Sequence, residues 1–202
     1  MVEQNSAREV SVGAVILAAG SSSRMQHPKQ TLQFQGQSLL RRAAQAALGA
    51  GCRPVVVVTG AHAELCRREL DALDVGEAFN ACWETGMASS IRAGIEDLVS
   101  MDAEIAAAVL LLCDQPYVTS DVIADLVAAH HNTRRPVVAS TYGGTFGVPA
   151  LFSRMLFTEL TELKGISGAK EIIKRHASEA EFIHFHNGEV DVDTPDDFLR
   201  LI

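Results

Sequence analysis

The sequence predicts an α/β protein, a three-layer α/β/α sandwich with a mostly parallel central sheet. Two observations support this fold class. Several short apolar runs lack the alternation of half-exposed strands, which is typical of strands buried on both faces of a parallel sheet. Helical patterns separate these runs, and such a βαβα rhythm with right-handed crossovers builds a sheet covered by helices on both sides. The expected arrangement is Rossmann-like, with ligands bound at the carboxyl ends of the strands.

The individual elements follow from these patterns. The run at 12–17 contains no polar side chain, and the run at 55–59 has four valines before Thr59. The run at 107–113 ends shortly before Pro116, which cannot donate a hydrogen bond to a sheet. The pattern around 120–130 has an apolar helical stripe, whereas 182–186 alternates like a strand. The predicted strands are 12–17, 55–59, 78–80, 107–113, 137–140 and 182–186. The predicted helices are 38–48, 63–70, 89–99, 120–130, 153–160, 168–175 and a short one at the end of the chain. After residue 140, Gly143, Gly144 and Gly147 predict a more irregular region.

Composition limits the function classes. The 202 residues predict one domain over 1–202, with 1–11 as a flexible leader that lacks an apolar signal segment. The longest apolar stretch, 106–113, is far too short to cross a membrane. A net charge of −8 disfavours general binding to nucleic acid. The cysteines show no C-x-x-C spacing, so we expect reduced thiols in a cytoplasmic protein; they are Cys52, Cys66, Cys82 and Cys113.

A loop of small residues follows the first predicted strand. It begins with Ala18, Ala19, Gly20 and Ser21, and Gly20 is free to take a positive φ. Two cations, the fork-shaped Arg24 and the point-like Lys29, come at the end of the same loop. A strand, a small-residue loop and cations predict a cradle for a triphosphate. The spacing fits neither a Walker loop nor a dinucleotide fingerprint, and a plain strand-to-helix turn with solvated cations remains the alternative.

Aspartates supply a candidate metal site. Asp114 directly follows the strand at 107–113, so its carboxylate is expected at the same sheet edge as Gly20; a turn or helix-capping role is the alternative. Near the end of the chain, Thr194, Pro195 and Asp197 predict the start of a helix with a capping box. Asp196 and Asp197 therefore have a structural role at the helix start, whereas Asp191 and Asp193 have none there and remain candidate metal ligands.

Residues 17–29 resemble the signature of nucleotidyltransferases with a glycosyltransferase-A-like fold, approximately L-A-A-G-x-S-x-R-M-G-x-P-K. Within that superfamily of nucleotide-diphospho-sugar transferase type, the chain resembles the molybdenum cofactor cytidylyltransferases. Further matching segments, in family order, are 80–91, 114–116, 147–152 and 191–197. Two positions depart from the pattern. Gln26 replaces a glycine, and the family's G-D-x-G-A-R appears at 165–170 as Gly-Ile-Ser-Gly-Ala-Lys.

The resemblance implies a Mg²⁺-dependent transfer of a cytidylyl group from CTP to molybdopterin, with release of pyrophosphate. It implies Lys29 and Arg24 as catalytic cations and Asp114 with Asp193 as metal ligands, with Asp191 in reserve. The nucleotide-binding residues implied are Ala18, Ala19, Gly20, Ser21, Asn80, Gly86 and Ser90. Ser90 is expected near the base, although Ser89 and Ser90 suit helix capping equally well.

Other functions stay open at this point. The acceptor could instead be methylerythritol phosphate or a sugar phosphate, and the chain could be a non-catalytic nucleotide-binding protein of cofactor maturation. The expected partners are small molecules and, transiently, a molybdoenzyme or its chaperone, with neither nucleic acid nor membrane involved.

Overall fold

The computed structural model describes residues 11–25 and 27–202; the expected leader and Gln26 lie outside this range, apart from Ser11. The strands are β1 (Val12–Leu17), β2 (Gln33–Phe34), β3 (Gln37–Ser38), β4 (Val55–Thr59), β5 (Gly76–Phe79), β6 (Ala107–Leu112), β7 (Val137–Tyr142), β8 (Thr145–Ser153) and β9 (Ala180–His184). The α-helices are α1 (Leu39–Gly49), α2 (Ala63–Glu69), α3 (Met87–Met101), α4 (Ser120–Thr133), α5 (Phe157–Thr161), α6 (Ala169–Arg175) and α7 (Pro195–Leu201). Short 3₁₀-helices cover Lys29–Thr31, Trp83–Thr85 and Arg154–Leu156.

The central sheet has seven strands in the order β5-β4-β1-β6-β8-β7-β9. β1 lies between β4 and β6 and is parallel to both, with Ile16 opposite Val57 on one side and Leu111 on the other. β8 alone runs against its two neighbours, and β9 is parallel to β7. The predicted α/β sandwich with a mostly parallel sheet is confirmed. The carboxyl ends of β1, β4, β5 and β6 therefore meet at one edge.

Helices cover both faces of the sheet and bury two core clusters. On one face α1, α2 and α4 contribute buried side chains such as Leu40, Cys66 and Leu126. On the other face α3, α5 and α6 contribute Ile91, Leu160 and Ile172. Because both faces are covered, every residue of β4 is buried, which explains its unbroken apolar run.

The region after residue 140 differs from the expectation of irregular structure. It forms a long hairpin of β7 and β8 joined by Gly143 and Gly144, whose φ angles are 52° and 74°. Two successive positive φ angles make the two-residue turn that matches the twist of a hairpin. The apolar run inside β8 then continues the main sheet beside β6. β8 therefore extends to Ser153, and the helix expected over 153–160 is reduced to Arg154–Leu156 and α5.

No helix among the described residues combines the length and the apolar character needed to cross a bilayer.

Close packing of α3 on the sheet gives a test of the core. A Cβ on Gly94 would lie 2.3 Å from Val15 Cγ1 and 2.8 Å from Val58 Cγ2. Alanine normally improves a helix by about 1 kcal/mol over glycine, but overpacking a core costs about 1–3 kcal/mol. We expect Gly94→Ala to lower the free energy of unfolding by about 1–2 kcal/mol in urea denaturation. Glu96→Ala, on the exposed side of the same helix, is the control; a more stable Gly94→Ala protein would contradict this packing.

Candidate active site

A cleft of about 430 Å³ lies at the edge where the parallel strands end. Its walls come from the loop after β1, the start of α3, the end of β6 and the segment before α7. Of the residues predicted for the site, all line this cleft except Ser21 and Asn80. The predicted cations and carboxylates, far apart in the sequence, are therefore brought together in space.

The loop after β1 is fixed by a residue that sequence reasoning missed. Gln30 is fully buried, and its Nε2 donates hydrogen bonds to the carbonyls of Ala18 and Gly20, each at 2.9 Å. The hydroxyl of Ser22 accepts a hydrogen bond from the backbone N–H of Lys29 at 3.0 Å. Gln30 thus ties the small-residue loop to the start of the Lys29–Thr31 turn.

Gly20 does not take the positive φ that the sequence allowed. Among the described residues of this loop, Ser22 is left-handed, with a φ of 55°. A Cβ on Gly20 would meet no atom within 4 Å, so Gly20 keeps its backbone open toward the cleft. Ser21 does not line the cleft, and its carbonyl accepts a hydrogen bond from His62 Nε2 at 3.1 Å.

A network of opposite charges occupies the cleft. Lys29 Nζ hydrogen-bonds Asp114 Oδ2 and lies 3.3 Å from Asp193 Oδ1. Arg24 Nη2 lies 2.9 Å from Asp193 Oδ2. Burial by itself would lower the pKa of Lys29, but the neighbouring carboxylates, Asp114 foremost, outweigh it and raise the pKa. The ammonium is therefore charged at every physiological pH and bridges the two carboxylates predicted to bind metal.

The carboxylates retain capacity for a further cation. Asp114 is buried, yet its Oδ1 has no hydrogen-bond partner among residues 11–25 and 27–202. Burial raises the pKa of Asp191, and the charges of Asp193 and Asp114 raise it further, as expected when three acids share a cleft. No cluster of three or more ligating side chains is assembled among residues 11–25 and 27–202. This donor set fits a hard divalent cation that takes one or two carboxylates and completes its shell with water and substrate oxygens.

Hydrogen bonds of the Asn80 side chain fix the loop before α3. Asn80 is buried, and its Nδ2 donates hydrogen bonds to the hydroxyls of Ser89 and Ser90 at 2.8 and 3.0 Å. Its Oδ1 accepts a hydrogen bond from the Cys82 N–H at 2.9 Å. In this structure Asn80 positions the α3 terminus from beneath, and Ser90 faces the cleft.

Gly86 is held by two constraints. Its φ is 114°, and a Cβ there would lie 2.3 Å from the carbonyl oxygen of Gly165. The backbone of the 165–170 segment thus approaches Gly86 so closely that a side chain would not fit there.

A second buried glutamine links the walls of the site. Gln115 Nε2 donates to the carbonyls of Val148 at 3.1 Å and of Gly188 at 3.2 Å. The N–H of Val192 donates to the carbonyl of Asp114 at 3.0 Å. These bonds attach the β7–β8 hairpin and the Asp191–Asp193 segment to the end of β6. Gln30 directly follows the predicted site residue Lys29, and Gln115 lies in the family-like segment 114–116, but neither position was predicted to have this buried bonding role.

The start of α7 matches the predicted capping box. The Thr194 hydroxyl accepts the Asp197 N–H at 3.2 Å, and Asp197 Oδ2 accepts the Thr194 N–H at 2.8 Å. Hydrogen bonds from Thr194 lower the pKa of Asp197. Asp197 therefore completes the Thr194 capping box, and Asp193 lies directly before the capped helix, on the cleft.

Comparison with known proteins identifies the family. A family model described as the MobA-like NTP transferase domain matches residues 14–180. The purine catabolism protein PucB of Bacillus subtilis is 30% identical, with 91% of this chain and 92% of PucB covered. The nicotine blue oxidoreductase of Paenarthrobacter nicotinovorans is 32% identical over 61% of this chain and 59% of that protein. The molybdenum cofactor cytidylyltransferase of Escherichia coli is 23% identical, with 93% and 94% covered.

Solved structures share the fold. The protein Rv0371c of Mycobacterium tuberculosis is 29% identical, with a TM-score of 0.78 and coverage of 94% and 96%. Its complex with manganese superimposes with a TM-score of 0.77 at 27% identity, over 95% and 97% of the two chains. Related folds thus include one solved with a divalent metal.

The buried amide of Gln30 can be tested by changing one functional group. Gln30→Glu replaces the donor between two carbonyl oxygens with an acceptor, and an unsatisfied buried group costs about 1–3 kcal/mol. We expect a loss of that size in the free energy of unfolding at pH 8. Gln33→Glu, at an exposed position, is the control and should change stability little. Equal stabilities of the two variants would show that the amide does not hold the loop.

Proposed function

This chain belongs to the MobA-like NTP transferase family, and we propose that it is a cytidylyltransferase that acts on a phosphorylated acceptor of the molybdopterin type. Transfer of a nucleotidyl group is the activity that the family's description gives. The choice of CTP and of this acceptor rests on the sequence motifs and on the Escherichia coli relative.

One observation carries the proposal: the cleft combines two cations, an open backbone loop and a carboxylate with a free buried oxygen. Arg24 and Lys29 provide positive charge for triphosphate oxygens, and the exposed backbone of Gly20 lies on the same cleft wall, next to the buried Ala18 and Ala19. Asp114 Oδ1 has no hydrogen-bond partner in the part of the chain that the structure describes. Phosphoryl transfer depends mainly on positioning and charge stabilisation, and these groups supply both.

The proposed reaction needs no strong general base. An oxygen of the acceptor's phosphate attacks the α-phosphorus of CTP, forming one P–O bond, while the bond to the β-phosphate bridging oxygen breaks and pyrophosphate leaves. A phosphomonoester has a second pKa of about 6, so it is already largely dianionic at neutral pH. Lys29 and Arg24 hold the charge of the departing pyrophosphate.

Asp114 and Asp193 would hold Mg²⁺, with Asp191 as the reserve ligand. Bound there, the ion would neutralise phosphate charge, as it does in other phosphoryl transfers. Lys29 now pairs with both carboxylates, so it must move from at least one of them toward the triphosphate. Ser90, whose hydroxyl accepts a hydrogen bond from Asn80, lines the cleft together with Gly86, and we place the cytosine base beside them.

The remaining parts of the proposal concern the cellular setting. We place the protein in the cytoplasm, since its four cysteines are free thiols. A molybdoenzyme or its chaperone would receive the product. Methylerythritol phosphate and sugar phosphates are the alternative acceptors, and a nucleotide-binding role without turnover is the alternative function.

The base preference is tested by pyrophosphate release with each of the four nucleoside triphosphates. The Ala18-Ala19-Gly20 sequence resembles the cytidylyl branch, whereas guanylyl-transferring relatives typically carry Leu-Ala-Gly-Gly. We expect kcat/KM for CTP to exceed that for GTP at least tenfold, which is about 1.4 kcal/mol of transition-state discrimination. A panel of molybdopterin, methylerythritol phosphate and glucose 1-phosphate identifies the acceptor. A preference for GTP would overturn the branch assignment, and nucleotide binding without turnover on any acceptor would favour the non-catalytic role.

The carboxylate pair is tested by a double-mutant cycle. Asp114→Asn and Asp193→Asn should each reduce kcat strongly in Mg²⁺, and the double variant should lose less than the product of the two losses because the groups act as a unit. Asp197→Asn, four residues away, is the control and should lower stability with little effect on kcat. An essential Asp197 with a dispensable Asp193 would reverse the assignment.

A further inference from the structure

Two parts of the chain bind the first four carbonyls of the loop after β1. Gln30 takes the first and the third. The segment that joins β4 to α2 takes the second, because the Ala61 N–H donates to the carbonyl of Ala19 at 3.0 Å. This approach requires a glycine, since a Cβ on Gly60 would lie 2.7 Å from the same oxygen. The fourth carbonyl is left for a side chain of this segment.

His62 binds the fourth carbonyl. Its Nε2 lies 3.1 Å from the carbonyl oxygen of Ser21, and because a carbonyl only accepts, this nitrogen carries the proton. His62 is half-buried and directly precedes α2, and its own carbonyl accepts the Cys66 N–H at 3.0 Å. Cys66 is fully buried in the core between α2 and the sheet. The helix therefore fixes the backbone of His62, and the imidazole holds a carbonyl that Gln30 does not reach.

The bound carbonyls fix the direction of the loop's N–H groups. In a planar trans peptide, the C=O and the N–H of the next residue point in opposite directions. The N–H groups at 19–22 have no acceptor within the described chain, and their peptides aim them away from Gln30 and from the segment at 60–62. Gly20, which is exposed and lines the cleft, lies within this run. These unpaired donors are available to an anion.

The carbonyl that His62 holds belongs to a strained peptide. The next residue, Ser22, has a φ of 55°, which is uncommon for a residue other than glycine. Release of the Ser21 carbonyl would let this peptide rotate, so that an acceptor oxygen replaces the donor that an anion needs. The Ser22 hydroxyl also accepts the Lys29 N–H at 3.0 Å, so the rotation would disturb Lys29. A change at His62 should therefore weaken anion binding more than it weakens the fold.

We propose that His62 is a positioning residue for the triphosphate: it holds the Ser21–Ser22 peptide in the orientation that binds phosphate oxygens. This inference rests on the proposed function and deepens it, since it adds a residue that acts on the nucleotide only through the loop. His62 does not line the cleft. Its effect should therefore concern the triphosphate group, whatever the base and the acceptor.

The test is titration calorimetry of the full chain with inorganic tripolyphosphate in MgCl₂, a probe that has neither base nor acceptor. His62→Gln keeps an amide N–H near the place of the imidazole Nε2, His62→Asn puts it about one bond closer to the backbone, and His62→Leu has none. We expect His62→Gln to keep Kd within about twofold of the wild type, and the other two variants to raise it about fivefold or more, as the loss of one hydrogen bond allows.

The matched control is His131→Leu. His131 is also half-buried, but it lies beside Ser11 and Val12, at the edge where the strands begin rather than where they end. This variant should bind tripolyphosphate like the wild type. Thermal unfolding of every variant shows which are folded, and the comparison of His62→Gln with His62→Asn decides the outcome even if His62→Leu does not fold.

Three results would overturn the proposal: no binding of tripolyphosphate to the wild type at millimolar concentration, equal Kd values for His62→Gln and His62→Asn, or a wild-type Kd for a folded His62→Leu protein. Kinetics separate this from failure of the proposed function. If His62→Asn releases pyrophosphate with an unchanged KM for CTP, the positioning role falls and the function stands. If tripolyphosphate binding weakens as expected but no acceptor supports pyrophosphate release, the function falls and His62 still positions an anion-binding loop.

Discussion

The ammonium of Lys29 between Asp114 and Asp193 is the interaction on which the rest of the site depends. It joins the loop after β1, the end of β6 and the segment before α7, three parts of the chain that meet only because the strands are parallel. Without this cation, Asp114, Asp191 and Asp193 would repel one another in a half-buried cleft. Removing one partner of a buried ion pair typically costs about 3–5 kcal/mol. The site therefore always needs positive charge, from Lys29 or from a bound ion.

This requirement connects stability with the proposed chemistry. A metal and a triphosphate entering together bring both charges: the ion can replace Lys29 at the carboxylates, and the phosphates then attract Lys29 and Arg24. The exchange needs rigid surroundings, and the two buried glutamines provide them. Gln30 fixes the backbone that borders the cations, and Gln115 fixes the hairpin and the acidic segment to β6.

The sequence predicted those parts of the molecule in which local pattern and tertiary role agree. β4 and β6 are apolar because both sheet faces are covered, and the α7 cap is a local hydrogen-bond pattern, so each was visible in the chain. The β7–β8 hairpin was not, because its glycines indicate a turn of any kind and its pairing with β6 is non-local. Likewise, the positions of the strand ends predicted that Lys29 and Asp114 lie at the same edge of the sheet. They could not show that the two side chains pair with each other, since 84 residues lie between them in the chain. Asn80 was expected to face the nucleotide, and only the structure shows its amide engaged with Ser89 and Ser90.

The most direct measurement of the exchange between Lys29 and a divalent ion is thermal unfolding of Lys29→Met with and without Mg²⁺. In EDTA the variant should unfold at a lower temperature than the wild type, because its carboxylates lack their counter-charge. Millimolar MgCl₂ should raise the Tm of the variant more than that of the wild type, when NaCl keeps the ionic strength constant to match screening. Equal Mg²⁺ effects on the two proteins, or none on either, would contradict a cation site formed by Asp114 and Asp193.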